Sequence, residues 1–336
     1  MELTESSQGA SQISYFSNSE LPIARYRFTA IVEQPLQLPD YAGSLLRGQF
    51  GAALRKVACM TRQPVCSGCP LLQTCPYTRI FEVPAPPKGT HALQAFSNIP
   101  QPYVIEPPTP GARVLAAGDA LVFHLVLVGY ALSQLALIVF AMQRMLEQGL
   151  TRERVPAGLQ SVECVDADGT ARPVWSYHQP TLAEHSTVLN VPDMPSGFAA
   201  ITLQIHTPMR LQRQGQPLGV GQLTPRALVA AVARRTALQL EFHAGLQGLG
   251  QAVQQATQVS ETLADDRDLH WHDWTRYSSR QQQAMTLGGV QGCWTLRGSA
   301  EAVAQVWPWL WLGQWLHVGK EPMMGMGGYT VESAIK

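Results

Sequence analysis

The chain has few charged residues and very few lysines. Of its 336 residues 14% are charged, and 24 basic residues balance 24 acidic ones. Only 4 of the basic residues are lysine. This composition excludes a strong overall attraction to nucleic acid or to an acidic membrane surface. Because 46% of the residues are hydrophobic, general disorder is also excluded. The length indicates about two domains.

Nucleotide-binding signatures are missing as well. The stretch HVGKEPMMGMGGY, residues 317–329, is rich in glycine and contains Lys320. A P-loop would place the lysine after the second glycine and open a helix, and a dinucleotide fingerprint would follow a strand and open a helix. Here the glycines follow a predicted helix and lead into a predicted strand, so neither motif fits.

No secretion signal is visible, because residues 1–22 are polar and serine-rich and form a predicted disordered lead-in. One apolar run, residues 120–141, is long enough to suggest a membrane span. It contains His124 and Gly129, and its first half is β-branched whereas its second half has helical character. We therefore predict a strand, a turn and a buried helix, and a cytoplasmic protein without membrane association.

The order of predicted elements indicates the fold. In the second half, strands at 198–206, 268–277 and 290–297, helices at 224–243 and 299–316, and a short last strand follow the order βαββαβ. The first half has a similar plan with one strand unclear. We predict an α+β protein of two tandem ferredoxin-like (RRM-like) domains, 23–190 and 195–336, with a Cys-rich insertion at 59–82 in the first. A sheet of this kind can serve as an RNA platform.

Four cysteines lie within 17 residues and have metal-ligand spacing. The pattern is Cys59-x6-Cys66-x2-Cys69-x5-Cys75. Reduced thiols in this number suit tetrahedral Zn²⁺ or an iron–sulfur cluster. The spacing and the prolines beside it resemble the cluster loop of the endonuclease III and adenine-glycosylase family. A structural [4Fe–4S] cluster is favoured slightly over zinc, and both stay open. Cys164 and Cys293 are expected to be ordinary buried residues.

Several segments resemble the CRISPR-associated RAMP endoribonucleases that process precursor CRISPR RNA. They are GSLLRGQFGAALR (43–55) with the four-Cys insertion after it, WHDWTRYSSR (271–280), WLWLGQWLHVGK (309–320) and GMGGY (325–329). The resemblance implies tandem ferredoxin-like domains and a glycine-rich loop near the C-terminus. It implies cleavage of CRISPR repeat RNA, single-stranded or beside a stem-loop, without a metal ion. The products would be a 2′,3′-cyclic phosphate and a 5′-hydroxyl.

The resemblance also directs the choice of site residues. Many members carry a catalytic histidine on or after the first helix, but this chain has none between Asp40 and Thr90. His317 is therefore expected to act as the acid or base, with Lys320 beside it. A histidine that only stabilises the end of a helix is the alternative. Contacts to RNA are expected from basic and glycine residues: Arg47, Arg276, Arg280, Gly319, Lys320, Gly325, Gly327 and Gly328. Trp307, Trp309, Trp311 and Trp315 are expected in the core rather than as a stacking set.

Two other functions stay open. The missing histidine favours a RAMP subunit that grips CRISPR RNA in a larger effector, with other effector subunits as partners, and does not cut it. The cysteine cluster by itself would also suit an iron–sulfur protein of DNA repair or redox chemistry.

Overall fold

The structure is a computed structural model that describes residues 20–86, 99–194, 198–278 and 283–332. The N-terminal half forms an antiparallel sheet in the order β3-β5-β1-β6-β7, and β8 pairs with the start of β1. The strands of the N-terminal half are β1 (Leu21–Val32), β2 (Leu36–Leu38), β3 (Tyr103–Glu106), β4 (Arg113–Leu115), β5 (Ala120–Val128), β6 (Ala157–Val165), β7 (Ala171–Ser176) and β8 (Val188–Leu189). Its helices are α1 (Gly43–Ala58), α2 (Pro76–Ile80), α3 (Tyr130–Ser133) and α4 (Leu135–Glu147).

The C-terminal half forms a four-stranded antiparallel sheet in the order β12-β13-β9-β14. The elements are β9 (Ala200–Met209), β10 (Gln212–Arg213), β11 (Gln216–Pro217), α5 (Pro225–His243), α6 (Gly250–Val259), β12 (Ala264–Ser278), β13 (Gln283–Arg297), α7 (Ala300–Leu316) and β14 (Tyr329–Glu332). In each half the first long strand lies between the third and the fourth strand of a βαββαβ unit. The predicted tandem ferredoxin-like fold is confirmed.

Strand β1 shows how the sequence divides the first sheet into two faces. Tyr26, Phe28 and Ala30 alternate along it and are fully buried in the core that also contains α1 and α4. Side chains alternate across a strand, so Arg25 and Arg27 point to the opposite face. That second face borders the cleft described below.

The long apolar run at residues 120–141 is β5 followed by α3 and α4, as predicted, and Gly129 makes the turn with φ +53°. Within the described residues no helix is both long and apolar enough to cross a membrane. The four tryptophans of α7 are buried, as expected. The hairpin β12–β13 is longer than predicted, with 15 residues in each strand. The hairpin extends past the end of the neighbouring strand β9.

The two domains share part of their apolar interior. Ile23 of β1, Val104 of β3 and Val126 of β5 are buried in the same cluster as the core residues of the C-terminal sheet and α7. Polar contacts reinforce this packing, since the Gln239 amide of α5 donates to the Gln101 carbonyl at 2.8 Å. The relative position of the domains is therefore fixed by burial as well as by hydrogen bonds.

One half-buried carboxylate, Glu106, links three segments at the domain junction. The Arg25 guanidinium donates to Glu106 at 2.9 Å and to the backbone carbonyl of Gln314 at 3.0 Å. The imidazole Nε2 of His317 lies 3.3 Å from the same Glu106 oxygen. Burial alone would raise the pKa of Glu106, but Arg25 and His317 outweigh it and lower the pKa to about 2.

This shift predicts how stability depends on pH. Because the folded-state pKa is lowered, the contribution of Glu106 is fully present above its ordinary pKa of 4.5 and is lost as the pH falls toward 2. At neutral pH it amounts to roughly 3 kcal/mol. Glu106→Gln should lower the free energy of unfolding by about that amount at pH 7, and the difference from wild type should vanish near pH 2. Urea unfolding at a series of pH values measures it.

The matched control is Glu147→Gln, which removes an exposed partner of Arg144. An exposed pair of this kind contributes less than about 1 kcal/mol. A Glu106→Gln variant whose deficit in unfolding free energy does not change between pH 7 and pH 3 would contradict the assigned role of the carboxylate.

Candidate nucleic-acid interface

The glycine-rich loop, residues 317–328, connects α7 to β14 and is wedged between the two domains. The Tyr41 hydroxyl, just before α1, donates to the Met324 carbonyl at 2.9 Å. The Thr207 hydroxyl of β9 donates to the Gly325 carbonyl at 2.7 Å and accepts from the Gly328 N–H at 2.7 Å. The loop is thus hydrogen-bonded to elements of both domains.

The glycines of this loop are needed for close backbone packing. A Cβ on Gly327 would lie 1.8 Å from the Val318 carbonyl oxygen, and one on Gly325 would lie 2.4 Å from Pro107 and 2.5 Å from the Ile105 carbonyl oxygen. Gly325 and Gly327 also have φ values of +86° and +72°, which L-residues rarely adopt. A larger residue at Gly325 would push the loop away from the N-terminal domain, and one at Gly327 would distort the loop itself.

Three glycines that were expected to contact RNA lie inside the protein. Gly325, Gly327 and Gly328 are buried, and their N–H groups donate to Pro322, Pro208 and Thr207 inside the protein. They have no free donor for a phosphate in this structure. The exposed part of the loop is its beginning, where Gly319 is half-buried and the Lys320 side chain is 49% exposed.

His317 is also placed differently from the expectation of an open acid or base. Its side chain is 1% exposed. Its Nδ1 lies 3.0 Å from the Gly325 carbonyl and 3.3 Å from the Met326 carbonyl, while Nε2 faces Glu106. Both ring nitrogens are therefore directed at acceptors inside the protein. The ring fastens the loop to the Arg25–Glu106 pair and does not present a nitrogen to a substrate.

Cationic side chains lie near the exposed beginning of the loop. The Lys320 ammonium is 3.9 Å from the Glu321 carboxylate, and the Lys320 N–H donates to the Arg210 carbonyl at 2.9 Å. The Arg210 guanidinium in turn donates to the Gly288 carbonyl at 3.2 Å. Arg47 of α1 is half-buried and its guanidinium lies 4.7 Å from the centroid of the Phe81 ring. Lys320 is thus the most available of the predicted phosphate contacts whose side chains the structure describes.

On the N-terminal side of the loop, the hairpin β12–β13 touches the segment before α1. His272 Nε2 of β12 lies 3.3 Å from the Asp40 carboxylate, and the side chains are 32% and 46% exposed. Two residues later, Trp274 packs on Tyr41 with 4.5 Å between ring centroids. No sequence pattern pairs His272 with Asp40, because 232 positions separate the two residues.

A cleft of about 1040 Å³ lies beside the junction and is bordered by both sheets. Its polar lining includes Arg25, Glu106, His124 and His206, and Trp311 and Trp315 form part of its wall. Burial, followed by the neighbouring His317 ring, lowers the pKa of His206, and burial together with the nearby arginines lowers the pKa of His124. Both rings are therefore neutral at pH 7 and offer hydrogen bonds without charge.

The four clustered cysteines follow α1 and face one small cavity, which Tyr77 and Thr78 help to line. The Thr61 hydroxyl lies 3.5 Å from Cys69 Sγ and 3.9 Å from Cys59 Sγ. Among the described residues, no group of three or more histidine, cysteine or acidic side chains has the geometry of a metal site. The predicted metal site is thus not supported by these side-chain positions.

Two predicted RNA contacts cannot be placed. Arg280 lies outside the described residues, and the side chain of Arg276 is likewise not described. Arg276 belongs to β12, and the role of both arginines stays a prediction.

The comparisons with known proteins agree with this architecture. Residues 203–329 match the family model for the CRISPR-associated endoribonuclease Cas6. Residues 21–187 match the model for the N-terminal domain of the AF_1859 family. No curated protein matches the sequence.

Solved Cas6 structures share the fold over nearly the whole chain. The product complex of a Thermus thermophilus Cas6 is 17% identical, with a TM-score of 0.58, and the match covers 94% of this chain and 100% of that one. A product complex of another Cas6 is 16% identical, with a TM-score of 0.51 and coverage of 93% and 99%. A partial Cas6-RT-Cas1–Cas2 complex is 14% identical, with a TM-score of 0.53 and coverage of 96% and 48%.

At these identities the solved structures establish a common fold. The family match adds the segment that carries β9, the hairpin β12–β13, α7 and the glycine-rich loop. Neither finding supports the DNA-repair or redox function considered for the cysteine cluster. Residues 203–329 therefore match the CRISPR-associated Cas6 endoribonuclease family, and the chain has the fold of the solved Cas6 structures.

Proposed function

We propose that the protein is an endoribonuclease that cuts precursor CRISPR RNA within its repeat sequence. The observation that carries the proposal is the match of residues 203–329 to the Cas6 family, because these residues contribute most of the junction around the glycine-rich loop. Two of the similar structures are product complexes of Cas6 proteins. The partner is CRISPR repeat RNA. One similar structure is an assembly with Cas1 and Cas2, so other CRISPR proteins are further candidates.

The proposed chemistry needs no metal ion. The ribose 2′-oxygen attacks the adjacent phosphate, which leaves a 2′,3′-cyclic phosphate on one product and a 5′-hydroxyl on the other. A base must take the 2′ proton, an acid must protonate the leaving oxygen, and cations must stabilise the charge on phosphorus. Lys320 is the exposed cation at the junction and is proposed to contact the phosphate. His317 is proposed to act by holding the loop on which Lys320 lies.

A non-cutting RNA-binding subunit is the second candidate. It is favoured by the absence of a histidine between Asp40 and Thr90, where many family members carry a catalytic one. The same cleavage assay distinguishes the two functions, because a binding subunit retains the RNA without shortening it.

We further propose that Cys59, Cys66, Cys69 and Cys75 bind a structural Zn²⁺ or [4Fe–4S] cluster. Their spacing and their position around one cavity support this proposal. The segment between Cys59 and Cys75 contains neither helix nor strand, and Met60 and Val65 are 85% and 62% exposed. A polar, irregular segment with exposed apolar side chains gains order from a bound metal. The bound group is structural and takes no part in cleavage.

The first test is cleavage of labelled repeat RNA in the presence of excess EDTA. We expect a single cut that continues in the chelator, because no divalent ion takes part. The upstream product should end in a cyclic phosphate, and the downstream product should be a substrate for 5′ phosphorylation. A repeat RNA with 2′-deoxyribose at the cut position is the control and should stay intact. Binding without cleavage would favour the second candidate, and cleavage of the deoxy substrate would contradict the mechanism.

Lys320→Ala tests the phosphate contact. Removing one contact should weaken binding of repeat RNA and reduce the slope of log affinity against log salt by about 0.7 to 1, because one fewer counterion is released. Lys320→Arg should keep the wild-type slope. Lys56→Ala on α1, also an exposed lysine, is the control and should not change the slope. An unchanged slope in Lys320→Ala would place the phosphate elsewhere.

Metal analysis and a visible spectrum after anaerobic purification test the cysteine site. We expect one zinc per chain, or about four irons with a brown absorbance. Cys66→Ser should lose the metal and should lower the thermal midpoint of unfolding. Cys293→Ser, a half-buried cysteine of β13, should keep both. Wild-type protein without stoichiometric metal would remove this proposal and leave the endoribonuclease proposal unaffected.

A further inference from the structure

The contact between Asp40 and His272 has the geometry of a proton-transfer pair. The carboxylate faces Nε2 of the ring at 3.3 Å, so Nε2 carries the hydrogen and Nδ1 holds a lone pair. Nδ1 has no hydrogen-bond partner among the described residues. Both side chains are partly exposed, at 46% for Asp40 and 32% for His272, so a substrate hydroxyl can approach the ring.

The pair adjoins the glycine-rich loop on the side of α1. Asp40 is followed by Tyr41, whose hydroxyl is bonded to the Met324 carbonyl, and by Gly43, where a Cβ would meet the Met324 oxygen at 1.8 Å. His272 shares its strand face with Trp274, which packs on Tyr41. The backbone before α1 and the strand β12 are therefore held against the loop by close contacts.

A second observation marks the same place as incomplete. Trp274 is 3% exposed, and its indole N–H finds no acceptor within the described parts of the chain. A buried donor without a partner is costly and is normally satisfied by water or by a ligand. It lies on the same strand face as His272, beside Tyr41.

The other histidines near the junction are less suited to take a proton. Both ring nitrogens of His317 face acceptors inside the protein, and the ring is buried. His206 lies in the cleft, where the nearby carboxylate, Glu106, is already engaged by Arg25 and His317. His270 is exposed on the same strand face as His272, but within the described residues it has no carboxylate partner. His272 is distinguished by the combination of a carboxylate partner at Nε2 with a ring that is partly exposed.

We propose that His272, oriented by Asp40, is the general base that activates the 2′-hydroxyl in the cleavage proposed above; this inference rests on that function. The 2′ O–H bond breaks, its proton passes to Nδ1 of His272, and the 2′ oxygen forms a bond to phosphorus. The bond from phosphorus to the 5′ oxygen then breaks, and that oxygen takes a proton from solvent water. The imidazolium returns its proton to solvent before the next turnover.

The pairing also accounts for the missing histidine near the first helix. The segment before α1 supplies Asp40 in place of an imidazole, and the C-terminal domain supplies the imidazole from β12. The base is thereby shared between the two domains, and neither domain contains it alone.

The test compares single-turnover cleavage of repeat RNA by wild type, His272→Ala and Asp40→Asn, with His270→Ala as the matched control. We expect His272→Ala to slow cleavage by at least about 100-fold, the usual size of general-base catalysis, with RNA affinity changed by less than about threefold. Asp40→Asn should slow cleavage less, and the double variant should be no slower than His272→Ala alone. His270→Ala should cleave at the wild-type rate. Added imidazole should restore part of the rate to His272→Ala and should leave the wild type unchanged.

The outcomes separate this inference from the function on which it rests. Wild-type cleavage together with His272→Ala cleavage within threefold of it would overturn the assignment of the base and leave the endoribonuclease intact. A loss of rate matched by an equal loss of RNA affinity, with no response to imidazole, would also overturn it, because it would show a binding role. Wild-type protein that binds repeat RNA and never cuts it would overturn both proposals.

Discussion

The close approach of the glycine-rich loop to both domains is the constraint on which the junction depends. The loop backbone is packed so closely that three glycines have no room for a Cβ. A Cβ on Gly327 would meet Val318 of the loop itself, one on Gly325 would meet Ile105, and one on Gly43 of α1 would meet the loop at Met324. The His317 ring contacts two backbone carbonyls of the loop through Nδ1 and contacts Glu106 through Nε2. The loop is therefore a tightly packed support, and the proposed reactive groups lie beside it.

The proposed reactive groups come from elements that are distant in sequence. Asp40 comes from the turn before α1, His272 from the long strand β12, and Lys320 from the exposed start of the loop. Each is held by backbone that is packed or hydrogen-bonded nearby, so the groups do not depend on mobile side-chain contacts alone. Placement on rigid elements is what a phosphoryl-transfer site requires, since small displacements of a base or a cation are costly in rate.

Periodicity and element order made the fold predictable. The alternation in β1, the Thr224–Pro225 start of α5 and the helical spacing of the α7 tryptophans each follow from local physics, and the structure has these elements at those positions. The character of the glycine-rich loop was predictable only in part. Glycine signals either an approach to a ligand or an approach to another backbone, and the sequence cannot tell which segment lies opposite.

The site depends on tertiary contacts that sequence patterns do not encode. His317 has the residue type of an acid or base, yet its ring is buried and contacts Glu106, which is 211 positions away. The Asp40–His272 pair is equally remote in sequence, and no local pattern links the two residues. The cysteine cluster is the reverse case, because its spacing is a strong local signal while the arrangement of its side chains supplies no further support.

The apolar interior that runs from the first sheet into α7 has a consequence for how the molecule comes apart. Ile23, Val104 and Val126 are buried against the C-terminal half, so a severed N-terminal half would expose them to water. Two ferredoxin-like units that look separable by topology are thus energetically one body. Heating or denaturant should melt them in a single cooperative transition, and neither half should persist as an independent folded fragment.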